Sequence, residues 1–231
     1  MKMLRDSKAV SPVIGIMLML VVTVILAAAV SSTSTGLMKS SEKAPTAVFD
    51  LKVVMVPSGS MGNPDPSAMM ITQVTGDSIP TKDLKIITIN PNAAGDTKTM
   101  EVLPGTINCR RVSSSGTTSH GVMPYHNNGV TYFGTQTEAG FAKNFGNYTL
   151  KPGVIMVADN YGYTNEYVTF PYTAPLWNAT AGKYEGNDDE RTGMQAMFAD
   201  WGNVSAGDFV TIKIIHMPSN KVIFQSEVEV E

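Results

Sequence analysis

From Val10 to Val30 no position is charged and most are apolar; beyond Lys43 the pattern changes to short alternating runs broken by Gly, Pro and Asn. The first pattern predicts one helix. Its 21 positions rise about 31 Å, close to the hydrocarbon thickness of a bilayer. Ser11-Pro12 is a helix-start pair, because Ser can cap and Pro suits a first helical position where no N–H needs a partner. Pro45 sets the far limit, so a helix from Pro12 to Lys43 of about 48 Å is one expectation. The Ser/Thr-rich segment 31–44, with Gly36 inside it, is equally readable as a bend or a flexible linker.

The second pattern predicts strands. Ala47–Val56, Ala68–Val74, Asp83–Asn90 and Thr97–Leu103 carry β-branched residues with partial or full alternation. Asp208–His216 and Lys221–Glu231 alternate more strictly, and Met217-Pro218-Ser219-Asn220 between them reads as a turn. These two runs are expected to pair as a closing hairpin, with Val222, Phe224 and the following valines on one buried face. Many short strands joined by Gly/Pro/Asn turns argue for a sandwich. Between about residues 105 and 200 Gly, Asn, Ser, Thr and Tyr dominate. Short strands and exposed loops are expected there, since structureless loops of such length are rare in compact domains. Tyr161, Tyr163, Tyr167, Tyr172, Trp177 and Tyr184 cluster in this stretch and suit either core packing or adhesion to sugars or another subunit.

The fold class expected is therefore α+β: a long N-terminal hydrophobic helix followed by a mainly β, sandwich-like (Ig-like) domain. The expected divisions are 1–9 as a leader, 10–44 as helix and hinge, and 45–231 as the outer domain.

Charge adds a direction. Lys2, Arg5 and Lys8 against Asp6 make the first nine residues basic, whereas residues 45–231 hold 12 Lys+Arg against 18 Asp+Glu. A basic start, an apolar run and an acidic body describe a chain crossing a membrane with its N-terminus inside. Overall charge is −3, which leaves no basic excess to draw nucleic acid. Cys109 is the single cysteine, so no intramolecular disulfide forms, and it reads as a small buried side chain.

Three uses of the apolar run compete: a secretory signal cut after Ala29, a permanent anchor, and a helix retained after removal of a short basic leader. Lys8 and Ala9, a cation and a small residue directly before the run, favour the third. The segment Ala9-Val10-Ser11-Pro12-Val13-Ile14-Gly15, followed by Ile16–Met19 and Val24–Ala28, resembles the N-terminal motif of archaeal type IV pilins. The resemblance implies cleavage by a prepilin peptidase around Lys8, Ala9 and Val10, as in class III signal peptides, with Val10 the expected first residue and Ala9 the alternative. It further implies a helix that anchors the precursor in the membrane and later forms the core of a surface filament. Pro12, Ile14, Gly15 and Val22 are then helix-packing residues. Many bacterial relatives carry glutamate at the fifth mature position; here it is Ile14, so cohesion must come from apolar packing, aided by small residues at Gly15 and Ala27–Ala29. A looser likeness to pilin-family bodies runs through Ile71–Asp77, Ile79–Lys85, Leu150–Gly153 and Ser205–Asp208.

The partners implied are the chain itself or other pilins, the peptidase, an assembly ATPase and a membrane platform protein. The implied role is a filament subunit in adhesion or surface attachment, a membrane protein as precursor and extracellular when mature. The alternatives are a membrane-anchored binding protein or minor pilin-like component, and a secreted enzyme or binding domain. No enzyme activity and no cofactor are expected: His120, His126 and His216 lack metal-ligand spacing, and no nucleophile elbow, phosphate loop or paired-cysteine motif is present. Asn187-Asp188-Asp189-Glu190 is oxygen-rich but follows no calcium-loop template, and no metal is assigned to it. Three sequons, at Asn147, Asn178 and Asn203, are candidates for N-glycosylation, with Asn178 preferred for its polar surroundings.

Overall fold

The computed structural model describes residues 12–37, 43–55, 67–112, 118–127, 142–160, 175–187 and 190–231. The chain divides into two compact units, Met1–Glu42 and Lys43–Glu231.

The first unit holds helix α1, Pro12–Leu37, of 26 residues and about 39 Å. It begins at Pro12, as the Ser-Pro pair predicts, and stays helical through Gly36, so the 31–37 part of the linker reading is not what forms. Residues 38–42, where the choice between helix and linker falls, lie outside the described residues. No acidic side chain stands in its first turn and no basic one in its last.

The second unit is mainly β. Its strands are β1 (Ala47–Val54), β2 (Ala68–Gly76), β3 (Ile79–Pro80), β4 (Leu84–Ile89), β5 (Thr99–Val102), β6 (Cys109–Val112) and β7 (Thr118–Gly121). They continue with β8 (Tyr125–Asn127), β9 (Thr149–Leu150), β10 (Ile155–Asp159), β11 (Trp177–Asn178), β12 (Lys183–Tyr184), β13 (Phe209–His216) and β14 (Lys221–Glu229). A short helix α2, Gly193–Met197, precedes β13. Two four-stranded sheets form the frame, ordered β1-β2-β10-β8 and β14-β13-β4-β5, with every neighbouring pair antiparallel.

The edges of the two sheets meet. β1 and β14 run parallel where Val53 bridges Val230, and Met55 N and Glu231 N donate to Glu231 O and Val53 O. Phe49 and Phe224 pack edge to face across this seam, ring centres 5.4 Å apart. Residues from both sheets enter one hydrophobic cluster: Phe49, Met69, Ile71 and Met156 from the first, Leu84, Ile86, Val210, Ile212 and Ile214 from the second. In β4 and β13 burial alternates strictly, so Leu84, Ile86 and Thr88 face the core while Lys85, Ile87 and Ile89 face out.

α2 is held by polar links from both sheets. Thr88 Oγ1 donates to Met197 O, Asn90 Nδ2 to Ala199 O at 2.7 Å, and Met194 N to Asn160 Oδ1 at 2.9 Å. Thr192 caps it reciprocally: its hydroxyl accepts from Gln195 N at 3.3 Å and its N–H donates to Gln195 Oε1 at 3.1 Å. Gly193 touches the end of β10 so closely that an added Cβ would lie 2.0 Å from Asp159 O.

The closing hairpin forms as predicted, with Asn220 in the left-handed region (φ 51°) that asparagine tolerates. One detail differs from the alternation. A register shift between Ile214 and Ile215 places Val222 opposite Ile215, and Val222 is 53% exposed. The extra residue of the bulge moves Val222 to the outer face. Phe224 and Val228 are half-buried against the core, and Val230 is buried.

Candidate functional site: the helix α1 and the surface of the β unit

α1 has the composition of a core and the exposure of a surface. Val13, Ile14, Ile16, Met17 and Leu18 are all more than half exposed, as are Val24, Ile25 and Leu26, and Val22 is 44% exposed. Over residues 13–29 apolar residues at consecutive positions cover every direction around a 3.6-residue helix, so this stretch has no polar face to meet water. Thr23, the polar residue inside the run, turns its hydroxyl back onto Leu20 O at 2.9 Å, which removes that donor from its surface. Nothing lies within 4 Å of a Cβ built on Gly15, so this glycine leaves a notch rather than filling a contact. Among the described residues no helix is long and apolar enough to cross a membrane. The described side chains of α1, residues 13–29, rise about 25 Å, against about 30 Å for a hydrocarbon core.

Of the residues singled out in the sequence, Ile14, Gly15 and Val22 lie along this one exposed helix, which opens at Pro12. Lys8, Ala9 and Val10 fall outside the described residues. The sequons are scattered over the β unit. Asn147 is exposed just before β9. Asn178 is half-buried, and its side-chain oxygen accepts from Thr180 N and Ala181 N at 3.1 and 2.9 Å. Asn203 is exposed, but its Nδ2, the atom a glycan would modify, donates to Asn92 O.

The remaining candidates resolve into structure. Tyr184 is buried; its hydroxyl donates to Phe198 O at 2.7 Å and accepts from Trp201 N at 2.8 Å. Burial pushes its phenol well above the usual range. Trp177 packs edge to face on Tyr184 and donates to Ala94 O, so both described aromatics of the cluster serve packing. Tyr161, Tyr163, Tyr167 and Tyr172 lie outside the described residues, as do Asp188 and Asp189. His216 is buried, its Nδ1 2.8 Å from Ser219 Oγ, which ties the end of β13 to the turn. His126 stacks on Tyr148, and burial, then the Lys143 charge, lower its pKa. Among the described residues no three acidic, histidine or cysteine groups gather as a metal site.

The helix, apolar over residues 13–29, lies in one compact unit and the strands in the other. Residues 8–49 match the family model described as archaeal type IV pilin, N-terminal, and the N-terminal segment of this chain is that of an archaeal type IV pilin. The match spans α1 and ends on the first residues of β1. No curated protein and no solved structure matches the chain.

Proposed function

We propose that the chain is a structural subunit of an archaeal type IV pilus-like surface filament, with adhesion or surface attachment as its role. α1 carries the reading: its exposed apolar side chains need an apolar environment, and removing them from water yields about 25 cal/mol for each Å². Lipid supplies that environment to a precursor, and the helices of other copies supply it in a filament. The β unit needs neither, having its own core. In this account a prepilin peptidase removes residues 1–9, an assembly ATPase and a membrane platform protein drive polymerisation, and residues 45–231 form a sandwich-like outer domain. Ile14 then packs against neighbouring helices where many relatives place a carboxylate.

Electron microscopy of cells, with mass spectrometry of sheared filaments, tests the reading. Filaments built of this chain support it. A protein retained in the membrane fraction of filament-free cells points instead to an anchored binding protein or a minor component.

A further inference from the structure

The outer face of the sheet β14-β13-β4-β5 is mixed: Phe209 and Val222 stand near its opposite ends, Ile87, Thr211, Lys213 and Gln225 lie between them, and the two ends of the β unit carry opposite charge. Phe209 and Val222 are 48% and 53% exposed, and Ile87, Ile89 and Ile215 lie half-buried beside them on the same face. The register fixes the ends. β1 runs parallel to β14, so the start of β1, the end of β2, the start of β4 and the 217–220 turn share one end. Two hydrogen bonds agree: Met217 N donates to Asp83 O, and Asp77 N to Thr46 O. Gly153 N donates to Gln73 O, which brings Lys151 to that end as well.

This end carries exposed Lys43, Lys82, Lys151 and Lys221 against Asp77 and Asp83. Lys85 is there too, but Glu101 neutralises it at 3.1 Å. The opposite end gathers the last residues of β14, the start of β13 and the loop after β4. It carries Glu227, Glu229, Glu231, Asp208, Asp96 and Asp200 against Lys52, Lys98 and Lys183. Ala94 N donates to Asp200 Oδ2, which fixes Asp200 at this end.

We infer that this face binds a second copy of the same chain head to tail, the lysine end of one β unit against the carboxylate end of the next. Charge complementarity selects that occupant. The two ends of the β unit, built from strand ends and loops of both sheets, display opposite signs, so a copy shifted along the strand direction brings opposite charges together, and an unshifted parallel copy brings like charges together. A lipid surface would use the lysines and leave the carboxylates without a role. A head-to-tail contact is heterologous and propagates, as a filament requires, whereas a two-fold contact closes on a dimer. The inference rests on the filament reading and adds a second, electrostatic contact outside the apolar helix core.

Cysteine crosslinking in cells that assemble the full chain tests it. Phe209→Cys and Val222→Cys keep every charged side chain. Val222 opposes Ile215, six residues along β13 from Phe209, so the two positions are about 20 Å apart and cannot bridge within one chain. Oxidation of the double variant is expected to give a ladder of dimers, trimers and larger species, and each single variant dimers at most. In a parallel arm, Lys82→Glu with Lys221→Glu should cut filament mass about tenfold. Adding Glu227→Lys and Glu229→Lys should bring it back within about twofold, with unchanged melting temperatures showing that each variant folds.

Filaments without a ladder, a closed dimer alone, or normal assembly with one end reversed would overturn the inference and leave the filament reading intact. Wild-type cells with anchored protein and no filaments would overturn the filament reading; the ladder, read in their membranes, would still decide the contact. Lysine-dependent binding to vesicles of anionic phospholipid without a ladder would assign the basic end to lipid and reject the second copy.

Discussion

The two units solve the same problem in opposite ways. In the β unit alternation sends Ile86, Ile212 and Ile214 inward to a shared cluster, and their neighbours Lys85, Thr211 and Lys213 outward. In α1 no alternation exists, and Ile14, Leu18 and Ile25 meet no core of their own. A sequence that can bury its apolar residues by folding does so with polar residues interleaved. One that omits the polar residues specifies an environment that folding alone does not provide. The β unit has its own core, whereas α1 has none, and the proposed filament would supply one.

The largest effect expected follows from placing a charge in the unit that has no polar face. Ile14→Asp or Val22→Asp should abolish filaments, because an unpaired carboxylate in an apolar bundle is costly. The chain from Pro45 onward should remain a folded, mainly β protein by circular dichroism. Normal filaments from either variant would break the comparison on the side of α1.

On the side of the β unit, deleting residues 222–231 should be nearly as severe. It removes almost all of β14, unpairs the edge of β13 and takes away Phe224 and the Val230 bridge. Aggregation or loss of a cooperative melt is expected; an unchanged melt would mean that the seam does not support the fold. Gly193→Ala is milder. Its methyl must displace the backbone at Asp159, and overpacking of this kind costs about 1–3 kcal/mol, read as a lower denaturation midpoint. The smallest effect concerns pH. His126 has a folded pKa below its usual value through burial and the Lys143 charge, so the unfolded chain takes up the proton first as pH falls. Stability is full above about pH 6.5 and declines as pH drops through the interval below it. His126→Gln should flatten that part of the midpoint-against-pH curve.

The sheets were legible where side chains alternate without interruption. β4, β13 and β14 fall within a residue or two of the runs that predict them, because each buries a single face. The bulge at Ile214/Ile215 left no mark in that alternation, and Val222 therefore points outward against expectation. β6 to β12 are strands of two to five residues, too short for a local periodicity to announce them; β6 pairs with β7 and β11 with β12 locally, whereas β8, β9 and β10 pair across longer separations. α2 is also too short for a helical repeat, although Thr192-Gly193-Met194-Gln195 contains the Thr-x-x-Gln spacing of its capping box. The turn at Asn178, in which its side-chain oxygen accepts from Thr180 N and Ala181 N, was not legible in the sequence. For α1 the sequence was sufficient, since an apolar helix without a polar face requires no tertiary contact to be recognised.

The central claim is that α1 stays on the mature protein and forms the core of a filament. Intact mass and N-terminal peptides of filaments sheared from the cell surface test it directly. The mature chain is expected to begin at Val10, or at Ala9, with α1 complete. A mature chain beginning at Val30, lacking the apolar run, would contradict it.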